Sequence, residues 1–562
     1  MHHHLSLRAK LIIMISVMAS MFLVALDQTI VATALGKIVE DFNAFSSLSW
    51  IVTAYLLTTT VTVPIAGKLS DLFGRRIMLL IGVAIFGIGS LMSGTSGDIN
   101  QLVLWRALQG IGGGIITANA FTIMGDLFAA RERGRWQGML GSVFGIASVI
   151  GPLLGGWLTE GQHIFGLTTS WHWIFWINVP IAVVAFGLLV WFCPPLKHER
   201  EPHVDYIGAV FLTIALATLV LAVDNTETIF KDIMNTWHLS LAGLRLIMAA
   251  IVALMLGLFI WQEKRSKEPI LPLRFFKNWN YSVVMIIATL FGAGFMGSII
   301  YLTQFNQQVF GASPTVSGLM LIPMVAGIMV ASIGSGQIIS RTGKYKIFMQ
   351  FGMVIATIMV GLLATLTPET PYWHEAIMMT LVGFGLGFVM PVMNIAVQNE
   401  FKQHELGVAT SSIQLFRGLG STIGIAIFGS MLTGGIAVNL TNMHHDPYLE
   451  TLQHAPAAKQ IGDLTDPNTQ LTLNTPDVKS KVTHGFETSI ANLPAPYKTA
   501  AKQKFITQQN DYSQKITHAF SKSLQIIFVT SAGLMLLATV FVFMVKEREL
   551  KHALPTATPG EM

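Results

Sequence analysis

One carboxylate stands inside an otherwise apolar run. In LIIMISVMASMFLVALDQTIVATALG (11–36), every residue for a dozen positions before Asp27 is apolar or small. A charged Asp near the middle of a bilayer costs roughly 2.5–3.5 kcal/mol even on insertion scales, so side chains kept at that cost mark ion pathways, proton relays or counter-ions. A second charge has a comparable setting: Arg106, within LVLWRALQGIGGG (102–114). A carboxylate near a guanidinium in apolar surroundings is suited to reversible protonation. Desolvation favours the neutral acid, and the neighbouring cation favours the anion.

The elements that position these charges are membrane helices. The chain has 562 residues, 52% hydrophobic and only 12% charged, against about 25% charged in soluble domains. Apolar runs long enough to span fall at 11–34, 50–66, 77–94, 101–124, 136–158, 173–193, 207–223, 241–261, 281–302, 314–338, 347–366, 375–397, 408–432 and 521–545. The fold class is therefore all-α and polytopic, with about fourteen spans and both termini on one side of the lipid bilayer.

Charge orients the spans. Lys68, Arg75, Arg76, Arg131, Arg133, Arg135, Lys197, Arg200, Lys264, Arg265, Lys267, Arg341, Lys344 and Lys346 fall on one set of alternate loops. The opposite short loops hold little beyond Lys37 and Lys231. Positive-inside then places both termini in the cytoplasm, in a cell membrane. Basic residues scattered this way are a topology signal, so no nucleic-acid partner is expected from the net charge of +5. Residues 433–519 are too polar to span and are expected to form an outer loop. That loop is either a tolerated insertion or a docking surface for an unknown partner.

In this orientation Asp27 lies about seven residues before the outer end of its run, and Arg106 about five after the outer start of its own. At about 1.5 Å per residue the two share nearly one depth, in the outer half. Cys193 is the single cysteine, which excludes an internal disulfide framework. No nucleophile, metal cluster or phosphate loop stands out; GIGGG (110–114) follows no strand. An enzyme is not expected, nor a metal or cofactor, the proton gradient serving as energy source.

An internal repeat organises the chain. GKLSDLFGRR (67–76) aligns with GQIISRTGKY (336–345) at an offset of 269, pairing Gly67 with Gly336 and Gly74 with Gly343. GDLFAARERG (125–134) aligns with QNEFKQHELG (398–407) at 273, pairing Gly134 with Gly407. Two six-helix halves, 1–200 and 271–562, follow, with residues 201–270 as an inserted helix pair. Repeated halves around a central site are the architecture of secondary transporters. Under these offsets Asp27 corresponds to Met296, Arg106 to Met379 and Arg417 to Phe144. The proton chemistry is thus expected in the first half.

GKLSDLFGRR resembles the signature loop of the major facilitator superfamily, Gly-x-x-x-Asp-x-x-Gly-Arg-Arg or Lys. Three further stretches resemble its fourteen-helix drug:proton antiporter branch: LDQTIVATAL (26–35), LVLWRALQGIGGG (102–114) and GSVFGIASVIGPLLGGWL (141–158). SPTVSGLMLIP (313–323) and VATSSIQLFRGLGSTIG (408–424) are also similar to that branch. The resemblance implies a gate of Gly67, Asp71, Gly74, Arg75 and Arg76, in which the three charged residues cluster to hold helices on the inner face. It implies a packing and gating role for Gly145, Gly151, Pro152, Gly155 and Gly156, where absent side chains let helices approach closely.

Gln28, Tyr55, Asn119, Tyr301, Gln304, Asn306 and Asn394 are candidates to line a substrate cavity. Arg417 is the deep charge of the second half, either a substrate or gating residue or one that snorkels to the inner surface. The expectation is a proton-coupled exporter of small amphipathic, cationic compounds working by alternating access. An exporter of one specific lipid, peptide or metabolite would share these features. A receptor or assembly factor would use the outer segment instead, with no need to bury Asp27 and Arg106.

Overall fold

The structure is a computed structural model. It describes residues 7–42, 48–159, 166–193, 204–223, 230–312, 314–440, 446–453, 476–490 and 494–550, with isolated positions between them. Lys197 and Arg200 lie outside the described residues.

Among the described residues, fourteen helical spans are long and apolar enough to cross a membrane, the sixth and the tenth counted together with the short helical segment before each. In chain order they are α1 (Leu7–Asp41), α2 (Leu48–Phe73), α3 (Arg75–Ser93), α4 (Ile99–Leu127), α5 (Ala130–Thr159), α6 (Asn178–Phe192), α7 (Tyr206–Val223) and α8 (Leu241–Glu263). The rest are α9 (Trp279–Gln308), α10 (Ile322–Thr342), α11 (Lys346–Leu363), α12 (Tyr372–Gln398), α13 (Leu406–Leu440) and α14 (Ala495–Met544). One helical turn, Trp173–Trp176, leads into α6, and a short helix, Pro314–Met320, leads into α10. Together they make a multi-pass membrane protein. The helices expose many large apolar side chains, such as Trp191, Leu246 and Val330, as a lipid-facing surface requires.

The packing repeats itself. In the first bundle α1 packs on α5 and α6, α4 on α2 and α3, and α3 on α6. In the second, α9 packs on α13 and α14, α12 on α10 and α11, and α11 on α14. The bundles meet where α5 lies on α10 and α2 on α13. Of the inserted pair, α7 contacts α2 and α13 as well as α8.

Three expectations change. The segment 433–519 is largely helical where described: α13 continues to Leu440, α14 begins at Ala495, and Pro447–Gln453 and Pro476–Ser489 are helices. These polar segments fold because they carry their own apolar seam. Tyr448, Leu452, Phe505 and Tyr512 are buried, and Phe486 stacks on Phe505 at 4.0 Å. The signature stretch is not a loop either. α2 runs to Phe73 and α3 starts at Arg75, so Gly74 alone turns the chain, at a φ of 98° that disfavours any side chain. Finally, α1 extends to Asp41, which puts Asp27 in mid-helix rather than near its end.

Candidate functional site

Asp27 and Arg106 meet. Arg106 Nη1 donates to Asp27 Oδ2 at 2.6 Å and to Gln109 Oε1 at 2.7 Å. Its Nε reaches the Ile51 carbonyl at 3.4 Å. The other carboxylate oxygen, Oδ1, accepts from Gln109 Nε2 at 2.9 Å and from Asn178 Nδ2 at 3.3 Å. Asn178 also donates to Ser90 Oγ at 3.1 Å, and Ser90 in turn donates to the Phe175 carbonyl. Tyr55 covers the guanidinium, its ring centroid 4.3 Å away, and Phe175 flanks it at 5.7 Å. Such a face-on contact adds attraction when desolvated.

The network is sealed. Asp27, Gln109 and Asn178 are 0% exposed and Arg106 2%. It ties α1, α4 and α6 together through one carboxylate. A buried ion pair like this is costly to break one partner at a time, because the survivor is left as an uncompensated charge. Protonating Asp27 does just that: it removes the anion while Arg106 stays charged. Gln109, Asn178 and Ser90 went unnoticed in the sequence, where a polar residue among glycines or beside an aromatic turn carries no mark of its own.

A second cluster closes one face of the bundle. Asp71, near the end of α2, accepts from the backbone N–H groups of Gly407 and Val408 at 3.1 and 3.0 Å. Those groups open α13, whose N-terminus favours a negative charge. Arg75 holds Asp71 on one side and Asp126 on the other, the latter at 2.9 Å, and is 1% exposed. Arg76 is not part of this cluster; its Nη2 donates to the Val190 carbonyl at 2.6 Å.

Around it the halves touch backbone to backbone. A Cβ on Gly67 would collide with Ser411, and one on Gly336 with the Gly134 backbone. Gln137 donates to Gln398, which donates to the Phe121 carbonyl. Over the same face lies the segment after α8. Lys68 pairs with its Glu268 at 2.6 Å, and Arg274 with Glu405 at 2.5 Å.

The glycines of α5 serve the contacts with α1 and α10. Gly151 abuts Thr29, whose hydroxyl donates to the Ala147 carbonyl at 3.0 Å, and Gly145 abuts Val325. Pro152 packs on Gly318. Gly155 is buried and Gly156 half-buried, and both carbonyls accept from Thr159.

The cavity candidates scatter. Asn119 and Asn394 donate to carbonyls of their own helices, and Tyr301 donates to the Ile425 carbonyl. Gln28 is exposed, Gln304 half-buried and Asn306 buried. Arg417 is half-buried and donates to Gln414, without a carboxylate partner among the described residues.

The sequence and fold have known counterparts. The model of the Major Facilitator Superfamily matches residues 17–425. The multidrug transporter protein MdtP of Bacillus subtilis (strain 168) is 34% identical over 485 residues, covering 84% of this chain and 85% of that protein. Multidrug resistance protein 3 of the same organism is 33% identical over 454 residues, covering 80% and 85%. Among solved structures, the human organic anion transporter MFSD10 (TETRAN) superposes with a TM-score of 0.60 at 14% identity, covering 95% of this chain and 99% of that one. That last likeness speaks to fold alone.

Proposed function

The chain belongs to the major facilitator superfamily, and from that premise we propose that it is a proton-coupled exporter of amphipathic cations. Transport is the family's activity, and relatives a third identical are named for multidrug transport and for multidrug resistance. The observation that carries the finer reading is the sealed Asp27–Arg106 pair. No scaffold role requires a carboxylate and a guanidinium to be desolvated together in mid-helix, since apolar residues of similar volume would pack at no greater cost.

In the proposed cycle Asp27 is the switch. Opened toward the outside, it binds a proton, loses its charge and releases both Arg106 and the cationic substrate. Opened toward the cytoplasm, it gives up the proton and again attracts a cation. Gln109 and Asn178 hold the carboxylate oriented throughout. Each pH unit across the membrane supplies about 1.4 kcal/mol per proton, or tenfold in substrate gradient. For a monovalent cation exchanged one-for-one, the membrane potential cancels.

The loop charges place the Gly74 turn and both termini in the cytoplasm under this reading. The Asp71 contacts then form the inner gate, closed here. The deciding experiment is transport in proteoliposomes under an imposed pH gradient, comparing lipophilic cations with neutral compounds of similar size. Accumulation of the cations alone supports the reading; equal accumulation of the neutral compounds removes cation selectivity.

A further inference from the structure

A second carboxyl is buried in the other half. Glu375, in the first turn of α12, is 0% exposed, and neither of its oxygens has a hydrogen-bond partner. Facing it from α9 is Asn306, also 0% exposed, the side chain placed to hydrogen-bond it, though neither amide atom closes a bond of good geometry. The titratable group its charge reaches is Tyr372, one turn before it, whose hydroxyl is committed to the Met320 carbonyl. Among the described residues, no charged side chain from α5, α9, α10, α11 or α13 faces it. The repeat partner of Glu375, at the offset of 273, is the buried apolar Leu102.

An anion so placed would be a buried charge with no counter-ion and only the Asn306 amide as a side-chain donor, which proteins avoid by neutralising the group. Held as the acid, it needs only one acceptor, and the Asn306 side chain offers one at its side. Once water arrives, hydration stabilises the anion, and the helix N-terminus around it adds to that. The site is thus neutral when sealed and acidic when wetted. A structural residue at this place would be apolar, as Leu102 is.

We propose that Glu375 and Asn306 form a second proton-carrying site, in the second half, which takes a proton from the outer side and, as α9 and α12 repack during the cycle, releases it to the inner side. This rests on the reading of the chain as a proton-coupled exporter. It revises the expectation that proton chemistry is confined to the first half. It also has a consequence for energetics. Two protons exchanged for one monovalent cation move net charge, so the membrane potential drives export as well as the pH difference.

The test uses the full-length protein in liposomes, with ethidium as the transported cation, and compares wild type with Glu375→Gln. Expected for wild type is about a hundredfold gradient per pH unit and accumulation driven by a potassium diffusion potential alone. Expected for Glu375→Gln is about tenfold per pH unit and no response to the potential. A variant that keeps the wild-type slope and potential response overturns the proposal.

Infrared spectra of the same membranes, taken as pH rises from neutral, decide the matter independently of substrate. A protonated-carboxyl band should fade with rising pH, vanish in Glu375→Gln, persist in Asp27→Asn and shift in Asn306→Ala. Its survival in Glu375→Gln, or its indifference to pH, contradicts the proposal. Failure of wild type to transport ethidium under any gradient would instead strike the Asp27 reading, leaving the spectra to judge Glu375.

Discussion

The backbone N–H of Gly407 donates to the carboxylate of Asp71 at 3.1 Å, across the boundary between the two halves. Val408 supplies a second donor at 3.0 Å. A carboxylate that captures a helix N-terminus is a releasable latch: strong while sealed, weak once water competes. The repeat gives it no twin, because the residue matching Asp71 is Ser340, which turns to the carbonyl of Gln337.

Asp71→Asn should weaken this latch without unfolding the protein, since Arg75 keeps Asp126 as a partner. Hydrogen bonds to a charged group are worth about 1.5–3 kcal/mol. Transport in vesicles should fall at least tenfold, while substrate binding in detergent survives. Binding that falls as far as transport would move Asp71 from the gate to the binding step.

Gly336→Val tests the backbone contact beside the latch. The added side chain meets the Gly134 backbone, which cannot yield as a flexible side chain would. Overpacking costs about 1–3 kcal/mol, enough to shift the closed state against the open one by roughly 5- to 150-fold. With Cys193→Ser as background, a cysteine at Gln398 should then alkylate faster from the Gly74 side. An unchanged rate would show that this face does not open there.

The buried pair makes a stability prediction. Arg106→Gln leaves Asp27 as an uncompensated buried carboxylate and should cost about 3–5 kcal/mol. The double variant Asp27→Asn, Arg106→Gln should recover most of that loss. Thermal unfolding in detergent reads both. Equal melting of the single and double variants would mean that the two charges are energetically independent.

The sequence made Asp27, Arg106 and the glycine pairs legible because each violates a local rule: charges in apolar helices, or glycines at fixed spacing. The repeat predicted more than it was asked to. It aligned Gly67 with Gly336 and Gly134 with Gly407, and the structure pairs Gly67 with Gly407 and Gly336 with Gly134 as equivalent contacts. Gln109 and Asn178 were hidden because their role depends on which helix faces they share, and that is set by packing. Glu375 was missed because the apolar run begins at that residue, whereas the helix begins at Tyr372. The polar stretch 433–519 masked its helices, whose apolar seam is spread over segments far apart in sequence.

Orientation can be read with thiols. Tyr497, near the start of α14, is 70% exposed. In a Cys193→Ser background, Tyr497→Cys should react with an impermeant thiol reagent added outside intact cells. Protection at this position, with labelling of a cysteine at exposed Lys344, would invert the topology.

The central claim is that Asp27 couples proton entry to cation export, and Asp27→Asn tests it most directly. The amide keeps the shape of the carboxyl and mimics its protonated form, leaving Arg106 charged with Gln109 as its remaining side-chain partner. The measurement is steady-state accumulation of ethidium in proteoliposomes under an imposed pH gradient, with folding checked by size-exclusion profile. The account predicts a folded Asp27→Asn protein that equilibrates ethidium without concentrating it. A folded Asp27→Asn protein that still concentrates ethidium to the wild-type level would contradict it.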